Sequence, residues 1–202
     1  MNKLIKKALP GAIALTLLGG ANLVSAAVNV QCPGDLDGDA AWDSVIGGVP
    51  EVQPAGVKCK SMIAGDSFVN MSDSNPMYTF GFGEQTGTPP TELVGNGILD
   101  AEWPGPTIEL DEGDEFYLSL TNVGTVMRPD LFDPHTVHFH GFPNAASVFD
   151  GVPEVSIATN AGATLTYYYN IVQPGTYLYH CHVEASMPIS MCSLASTWQW
   201  YR

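Results

Sequence analysis

From residue 77 onward, short β-strand patterns alternate with turn signals, and this alternation most constrains the fold. Strands are predicted over residues 77–82, 107–110, 115–122, 136–140, 155–158, 164–169 and 176–180. Turns are expected at the glycines that stand between them, namely Gly113, Gly124, Gly151, Gly162 and Gly175. Short strands at this spacing, without a long amphipathic helix, are typical of a β-sandwich or barrel. We therefore expect an all-β domain over residues 77–202.

The stretch before this domain has a different composition. Residues 27–76 are rich in Asp, Gly, Pro and Ser, which predicts a polar, loop-rich N-terminal extension. Within it, Asp35, Asp37 and Asp39 are spaced by two, so their carboxylates are able to converge on a hard cation such as calcium. The rest of an EF-hand loop is absent from the sequence, and we favour a solvated acidic turn.

The first 26 residues resemble a secretory signal peptide. Lys3, Lys6 and Lys7 precede an apolar run over residues 8–18, and Val24-Ser25-Ala26 provides the small residues that signal peptidase recognises. The alternative is a membrane anchor, but the apolar run is shorter than the ~20 residues that a span requires. We expect cleavage near Ala26 and a periplasmic or secreted protein.

The charge of the chain excludes two classes of partner. Lys and Arg number 7 against 21 Asp and Glu, giving a formal net charge of −14. A nucleic-acid-binding protein needs a basic surface that neutralises phosphates, and an anionic membrane attracts basic surfaces for the same reason. We therefore expect neither nucleic acid nor membrane as a partner.

The chain has 4 cysteines, a number that suggests disulfides in an exported protein. Cys32 and Cys59 lie in the same polar region and are able to pair. Cys181 stands between two histidines, which argues against a structural role for it. The alternative is a Cys181–Cys192 disulfide, which would remove the metal chemistry considered next.

All 5 histidines of the chain fall into two clusters. One is His135-Thr136-Val137-His138-Phe139-His140, and the other is His180-Cys181-His182. On a strand, residues i and i+2 face the same side. If the two strands are neighbours, four imidazoles converge on one side, while Cys181 points to the other side and joins His135. The sequence therefore predicts two metal sites, linked through Cys181 and the histidines that flank it.

The donor atoms favour copper at these sites. A thiolate with imidazole and a weak thioether is the donor set of a blue-copper centre. Met191, or Met187, follows Cys181 and is the candidate axial ligand. Zinc is the main rival, but a zinc site closes with ligands from one cluster and gives no reason to place Cys181 between two histidines.

At the level of motifs, residues 96–191 resemble a cupredoxin domain of the multicopper oxidase family. The resemblance rests on six motifs in the order that the family has them. They are Trp103-Pro104-Gly105-Pro106-Thr107-Ile108, Gly113-Asp114, Asp133-Pro134-His135-Thr136-Val137-His138-Phe139-His140-Gly141, Asp150-Gly151-Val152-Pro153, Pro174-Gly175-Thr176-Tyr177 and Tyr179-His180-Cys181-His182. The resemblance implies a plastocyanin-like Greek-key β-sandwich and a copper-dependent oxidoreductase.

The resemblance also implies a role for each of these ligands. His135, Cys181 and Met191 would bind a type 1 copper, which takes electrons from a small reducing substrate or a redox protein. His138 would bind the type 2 copper. The type 3 pair, where dioxygen is reduced, would take His140, His180 and His182.

Two departures from the family pattern leave the function open. Ser186 and Met187 occupy the region where the family has a second type 1 histidine, and His182 is the last histidine of the sequence. The family's trinuclear cluster uses eight histidines from two domains, whereas the two clusters here supply half of that set. Three hypotheses follow: a laccase-like oxidase completed by a homo-oligomer or partner cupredoxin domain, an electron-transfer cupredoxin, or a truncated non-catalytic remnant.

Overall fold

The structure is a computed structural model, and it describes residues 30–142 and 146–183. The elements in chain order are β1 (Val45–Ile46), β2 (Val49–Pro50), β3 (Val57–Asn70), β4 (Pro76–Glu84), α1 (Leu93–Gly97), β5 (Glu115–Gly124), β6 (His138–Phe139), a 3-10 helix (Ser147–Phe149), β7 (Thr164–Asn170) and β8 (Tyr179–His180). Across the described ranges, no helix has the length and apolar character needed to cross a membrane. The predicted signal peptide lies outside these ranges.

A four-stranded sheet forms the centre of the fold. Its strand order is β4-β3-β5-β7, and β3 runs parallel to β5 while the two outer pairs are antiparallel. In β5, Phe116, Leu118 and Leu120 lie on one face of the strand and are almost fully buried in the main core. The alternation predicted for residues 115–122 is confirmed, and so is the all-β fold.

A second, two-stranded sheet packs over the inner face of the first. β6 pairs antiparallel with β8, so that His138 lies opposite His180 and Phe139 opposite Tyr179. The Phe139 and Tyr179 rings enter the main core, with centroids 5.5 Å apart. Because side chains alternate along a strand, the neighbouring His138 and His180 project away from this core. The aromatic packing thus fixes the side on which the histidines emerge.

The outer face of the main sheet carries a smaller core. Val30, Ala40, Leu93 and Ala101 pack there against Ile63 of β3. The Cys32–Cys59 disulfide joins the N-terminal segment to β3, which confirms that these two cysteines pair. The polar segment before β3 is therefore attached to the sheet.

The strand pattern differs from the sequence prediction in several places. The predicted boundary near residue 76 falls at the start of β4, and β3, which pairs with β4 over Met62–Asn70, was not predicted. The sequence pattern did not predict β3 because it contains Lys58, Lys60 and Asp66, and charged residues are uncommon in buried strands. Asp66 is nevertheless buried, because its carboxylate accepts hydrogen bonds from Tyr78 Oη and from the N–H groups of residues 126 and 127.

Other predicted strands are shorter or lack regular pairing. Residues 107–110 and 155–158 form no strand, and the strands predicted over 136–140 and 176–180 shrink to β6 and β8. Ile108 and Leu110 still enter the core, so their alternation reflects burial rather than strand pairing. His135 and Thr159, which lie just outside two of the predicted strands, form an isolated β-bridge.

The acidic segment of the extension forms a turn. The Asp35 carboxylate accepts hydrogen bonds from the N–H groups of Asp37, Gly38 and Ala40. Asp35, Asp37 and Asp39 each offer an oxygen within 4.8 Å of the others. These contacts are those of the acidic turn that the sequence favours, and calcium binding there stays the untested alternative.

Candidate metal centre

Four imidazole rings meet where β6 and β8 pair. The centroid of the His138 ring lies 5.2 Å from that of His140, 5.5 Å from that of His180 and 5.2 Å from that of His182. The His140 and His180 centroids are 4.8 Å apart, and those of His180 and His182 are 5.6 Å apart. We call these four residues the imidazole cluster. The predicted convergence of both histidine pairs is therefore present.

Three residues of the imidazole cluster have ring nitrogens close enough to share a metal ion. His138, His140 and His180 each offer a nitrogen within 4.8 Å of the other two. The Nε2 atoms of His140 and His180 are 2.6 Å apart. Imidazole nitrogen is a common donor to copper, zinc and iron. The arrangement therefore fits a metal bound on this side of the β6–β8 pair.

Main-chain carbonyls orient two of the rings. His138 Nδ1 lies 2.6 Å from the carbonyl oxygen of Asp150, and His180 Nδ1 lies 2.5 Å from that of Cys181. A carbonyl oxygen only accepts, so each Nδ1 carries the proton and donates it. This leaves the lone pair of Nε2 as the metal-binding position of each ring, and in His180 that nitrogen faces His140 Nε2. Metal-binding histidines are usually fixed through their second nitrogen in this way.

A buried ring nitrogen supports metal binding directly. His182 Nδ1 is buried and has no hydrogen-bond partner within the described residues. An unsatisfied buried polar atom carries a desolvation cost of about 1–3 kcal/mol. A metal ion would satisfy such a nitrogen. The residues present therefore fit the metal that the sequence predicts.

A separate site lies on the other side of the segment His180-Cys181-His182. Cys181 is buried, and its Sγ lies 3.6 Å from His135 Nδ1. The same sulfur accepts a hydrogen bond from the Thr136 N–H at 3.4 Å. Two main-chain hydrogen bonds to Thr159, at 2.8 Å and 3.0 Å, hold His135 in place. One imidazole and one sulfur are therefore adjacent in the core.

The local electrostatics differ between the two sites. Burial lowers the pKa of His180, and the neighbouring imidazoles of His140, His138 and His182 lower it further, against a rise from the hydrogen bond to the Cys181 carbonyl. A lowered pKa keeps His180 neutral at neutral pH, the form that binds metals. At His135, burial lowers the pKa, but contact with Cys181 and the Asp133 charge outweigh it and raise the pKa.

Six of the seven predicted ligands thus fall into two groups. The imidazole cluster holds four, and His135 and Cys181 form the second group. Met191 and the alternative Met187 lie outside the described residues, as does Cys192. The sequence analysis did not predict that Thr136 and the carbonyl of Asp150 contact these groups. The turn that it expected at Gly151 was the available indication of a loop at this point.

Comparison with known families agrees with this geometry. A model of the family described as multicopper oxidase matches residues 85–194, more than half of the chain. The chain belongs to the multicopper oxidase family. The match includes both histidine clusters and Cys181, on which the sequence resemblance rested. That resemblance is therefore confirmed.

Known members of the family are similar to a part of the chain. The iron transport multicopper oxidase fetC of Epichloe festucae is 37% identical over 93 residues, which cover 45% of this chain and 14% of the relative. L-ascorbate oxidase of Cucumis sativus is 34% identical over 91 residues, which cover 42% of this chain and 14% of the relative. The match thus spans about a seventh of the length of these relatives.

Solved structures of the family share the fold. A multicopper oxidase crystal structure superposes with a TM-score of 0.52 at 25% identity, covering 71% of this chain and 42% of that one. The blue copper oxidase of Nitrosomonas europaea gives a TM-score of 0.52 at 25% identity, covering 71% of this chain and 38% of that one. The cupredoxin-like β-sandwich is therefore confirmed.

Proposed function

We propose that this protein is a copper-binding oxidoreductase that oxidises a reducing substrate with dioxygen as the electron acceptor. The proposal depends on one observation. The Cys181 sulfur faces His135, while the flanking His180 and His182 belong to the imidazole cluster. Copper supplies one-electron transfer and oxygen chemistry when it is bound. The protein's own residues would hold copper at two sites, on opposite sides of the segment His180-Cys181-His182.

The roles of the residues follow from where each is held. His135 and Cys181, with Met191, would bind a type 1 copper that accepts electrons from a small reductant or a redox protein. His138 would bind the type 2 copper, and His140, His180 and His182 the type 3 coppers. Burial of His135 and Cys181 excludes water from the first site. His140, by contrast, is exposed, which leaves the imidazole cluster open at one edge.

A second copy of the chain, or a partner cupredoxin domain, would complete the cluster at this open edge. Four imidazoles are half of the set that the family's trinuclear cluster uses. The open edge also favours a second candidate function, a copper-binding electron-transfer protein that does not reduce dioxygen. In that case the site with Cys181 would work alone.

We also propose that residues 1–26 are a signal peptide cleaved near Ala26, and that the mature protein acts in the periplasm or outside the cell. The Cys32–Cys59 disulfide supports this, because disulfides persist in oxidising compartments.

Elemental analysis of the purified mature protein, beside its mass in solution, tests the proposed function. Several coppers per chain in an oligomer, with oxygen uptake on a phenolic or metal-ion reductant, would support the oxidase. About one copper per chain in a monomer, without oxygen uptake, would support the second candidate. Absence of bound copper after reconstitution would refute both.

A further inference from the structure

Thr136 makes hydrogen bonds to both metal sites, although it carries no donor that copper prefers. It is fully buried between His135 and Val137. Its main-chain N–H donates to Cys181 Sγ at 3.4 Å. Its hydroxyl donates to the carbonyl oxygen of Gly151 at 2.8 Å and accepts the main-chain N–H of His182 at 3.2 Å. Thr136 therefore contacts the Cys181 sulfur, the main chain of His182 and the turn at residues 150–151.

The 150–151 turn is the support for His138. The carbonyl of Asp150 orients the His138 ring through Nδ1, and Gly151 packs against the Val137–His138 peptide. A Cβ on Gly151 would lie 2.3 Å from the Val137 carbonyl oxygen and 2.8 Å from the His138 nitrogen. Movement of this turn would therefore move His138.

We propose that Thr136 is a positioning residue whose hydroxyl holds His182 and the turn beneath His138 at a fixed distance from the Cys181 sulfur. The inference depends on the proposed function, in which these residues are copper ligands. It adds a hydrogen-bonded link between the two sites, beside the covalent link through the Cys181–His182 peptide bond. In this proposal, the Thr136 side chain affects the imidazole cluster more than the site with Cys181.

The two roles of Thr136 are separable by mutation. Valine has nearly the shape of threonine but has no hydroxyl, so Thr136→Val leaves the His182 N–H and the Gly151 carbonyl without a partner. The main-chain N–H to the Cys181 sulfur remains in this variant. Thr136→Ser keeps the hydroxyl and removes only a methyl group. We therefore expect Thr136→Val to disturb the imidazole cluster and to leave the sulfur site intact.

Two measurements on the full-length protein test the proposal. The first is copper affinity, determined by competition with a chelator, together with the visible band from thiolate bound to copper. Thr136→Val should weaken copper binding by the imidazole cluster about 10-fold or more, as loss of outer hydrogen bonds does at other metal sites. The thiolate band should keep its wavelength, and Thr136→Ser should restore the affinity.

The second measurement needs no metal. In the copper-free protein, nitrogen-15 NMR of labelled histidine should show altered ring signals for His138 and His182 in Thr136→Val, and wild-type signals in Thr136→Ser. This separates the two proposals: a wild-type protein that binds no copper refutes the proposed function, while the ring signals still test Thr136.

Ser156→Ala is the control, because Ser156 Oγ accepts the Gly151 N–H without contacting His182. It should alter the His138 signals and leave those of His182 unchanged. If Thr136→Val does not fold, Thr136→Ala takes its place, since the vacated space allows water to reach both unpaired groups. Unchanged His182 signals in the hydroxyl-free variant, or failure of Thr136→Ser to restore them, would overturn the proposal.

Discussion

The Nε2 atoms of His140 and His180 lie 2.6 Å apart, although the two residues are 40 positions apart in the sequence. The antiparallel pairing of β6 with β8 brings them together, and it places His138 opposite His180 in the same register. A shift of one residue in this pairing would send the histidines to the core face. The buried Phe139 and Tyr179 rings prevent such a shift, so the core fixes the geometry of the metal site.

Removing His140 should weaken metal binding and destabilise the fold only slightly. Because His140 is exposed and loses only its contact with His180, His140→Ala should lower the free energy of unfolding by no more than about 1 kcal/mol. Copper affinity of the imidazole cluster should fall at least about 100-fold, since a donor is lost rather than an outer contact. Chelator competition measures this. Glu112→Ala, which removes an exposed acid before β5, controls for binding to the acidic surface and should leave the affinity unchanged.

The sequence predicted the site better than it predicted the fold around it. The i, i+2 spacing determined which side chains share a face, and this holds for the short strands β6 and β8. It did not predict β3, because a buried strand with Asp66 is stable only through partners on β4 and on residues 126–127, far away in the sequence. The contacts of Thr136 were missed for the same reason.

Substitution of the sulfur should affect one site only. Cys181→Ser should abolish the thiolate band and reduce the copper content by about one per chain, because the serine hydroxyl is a poor copper donor. The imidazole cluster should keep its copper, since His180 and His182 face away from the sulfur. Absorption spectra and elemental analysis measure both effects. Equal loss of copper from the two sites would contradict their independence.

The Cys32–Cys59 disulfide should stabilise the fold without affecting the site. It closes a loop with a sequence separation of 27 residues. Replacing both cysteines by serine should cost about 3 kcal/mol in the free energy of unfolding. Urea unfolding measures the cost, and a reducing agent should not destabilise the double variant further. Copper affinity should stay unchanged, because Cys59 packs against the outer core rather than beside the histidines.

A matched pair of glycine substitutions should separate backbone strain from steric conflict at the site. Gly151 and Gly162 have nearly the same positive φ, +81° and +80°. A Cβ on Gly162 meets nothing within 4 Å, whereas one on Gly151 would lie 2.6 Å from the Val137 carbonyl carbon. Gly162→Ala should therefore cost about 1 kcal/mol, from strain alone.

Gly151→Ala should cost at least about 3 kcal/mol, because the neighbouring peptide must move as well. That peptide precedes His138, so copper affinity of the imidazole cluster should fall in Gly151→Ala and stay unchanged in Gly162→Ala. Urea unfolding and chelator competition measure the two effects. Equal costs in the two variants would show that the turn is able to retreat from β6, and that its contact with the Val137–His138 peptide does not position the histidine.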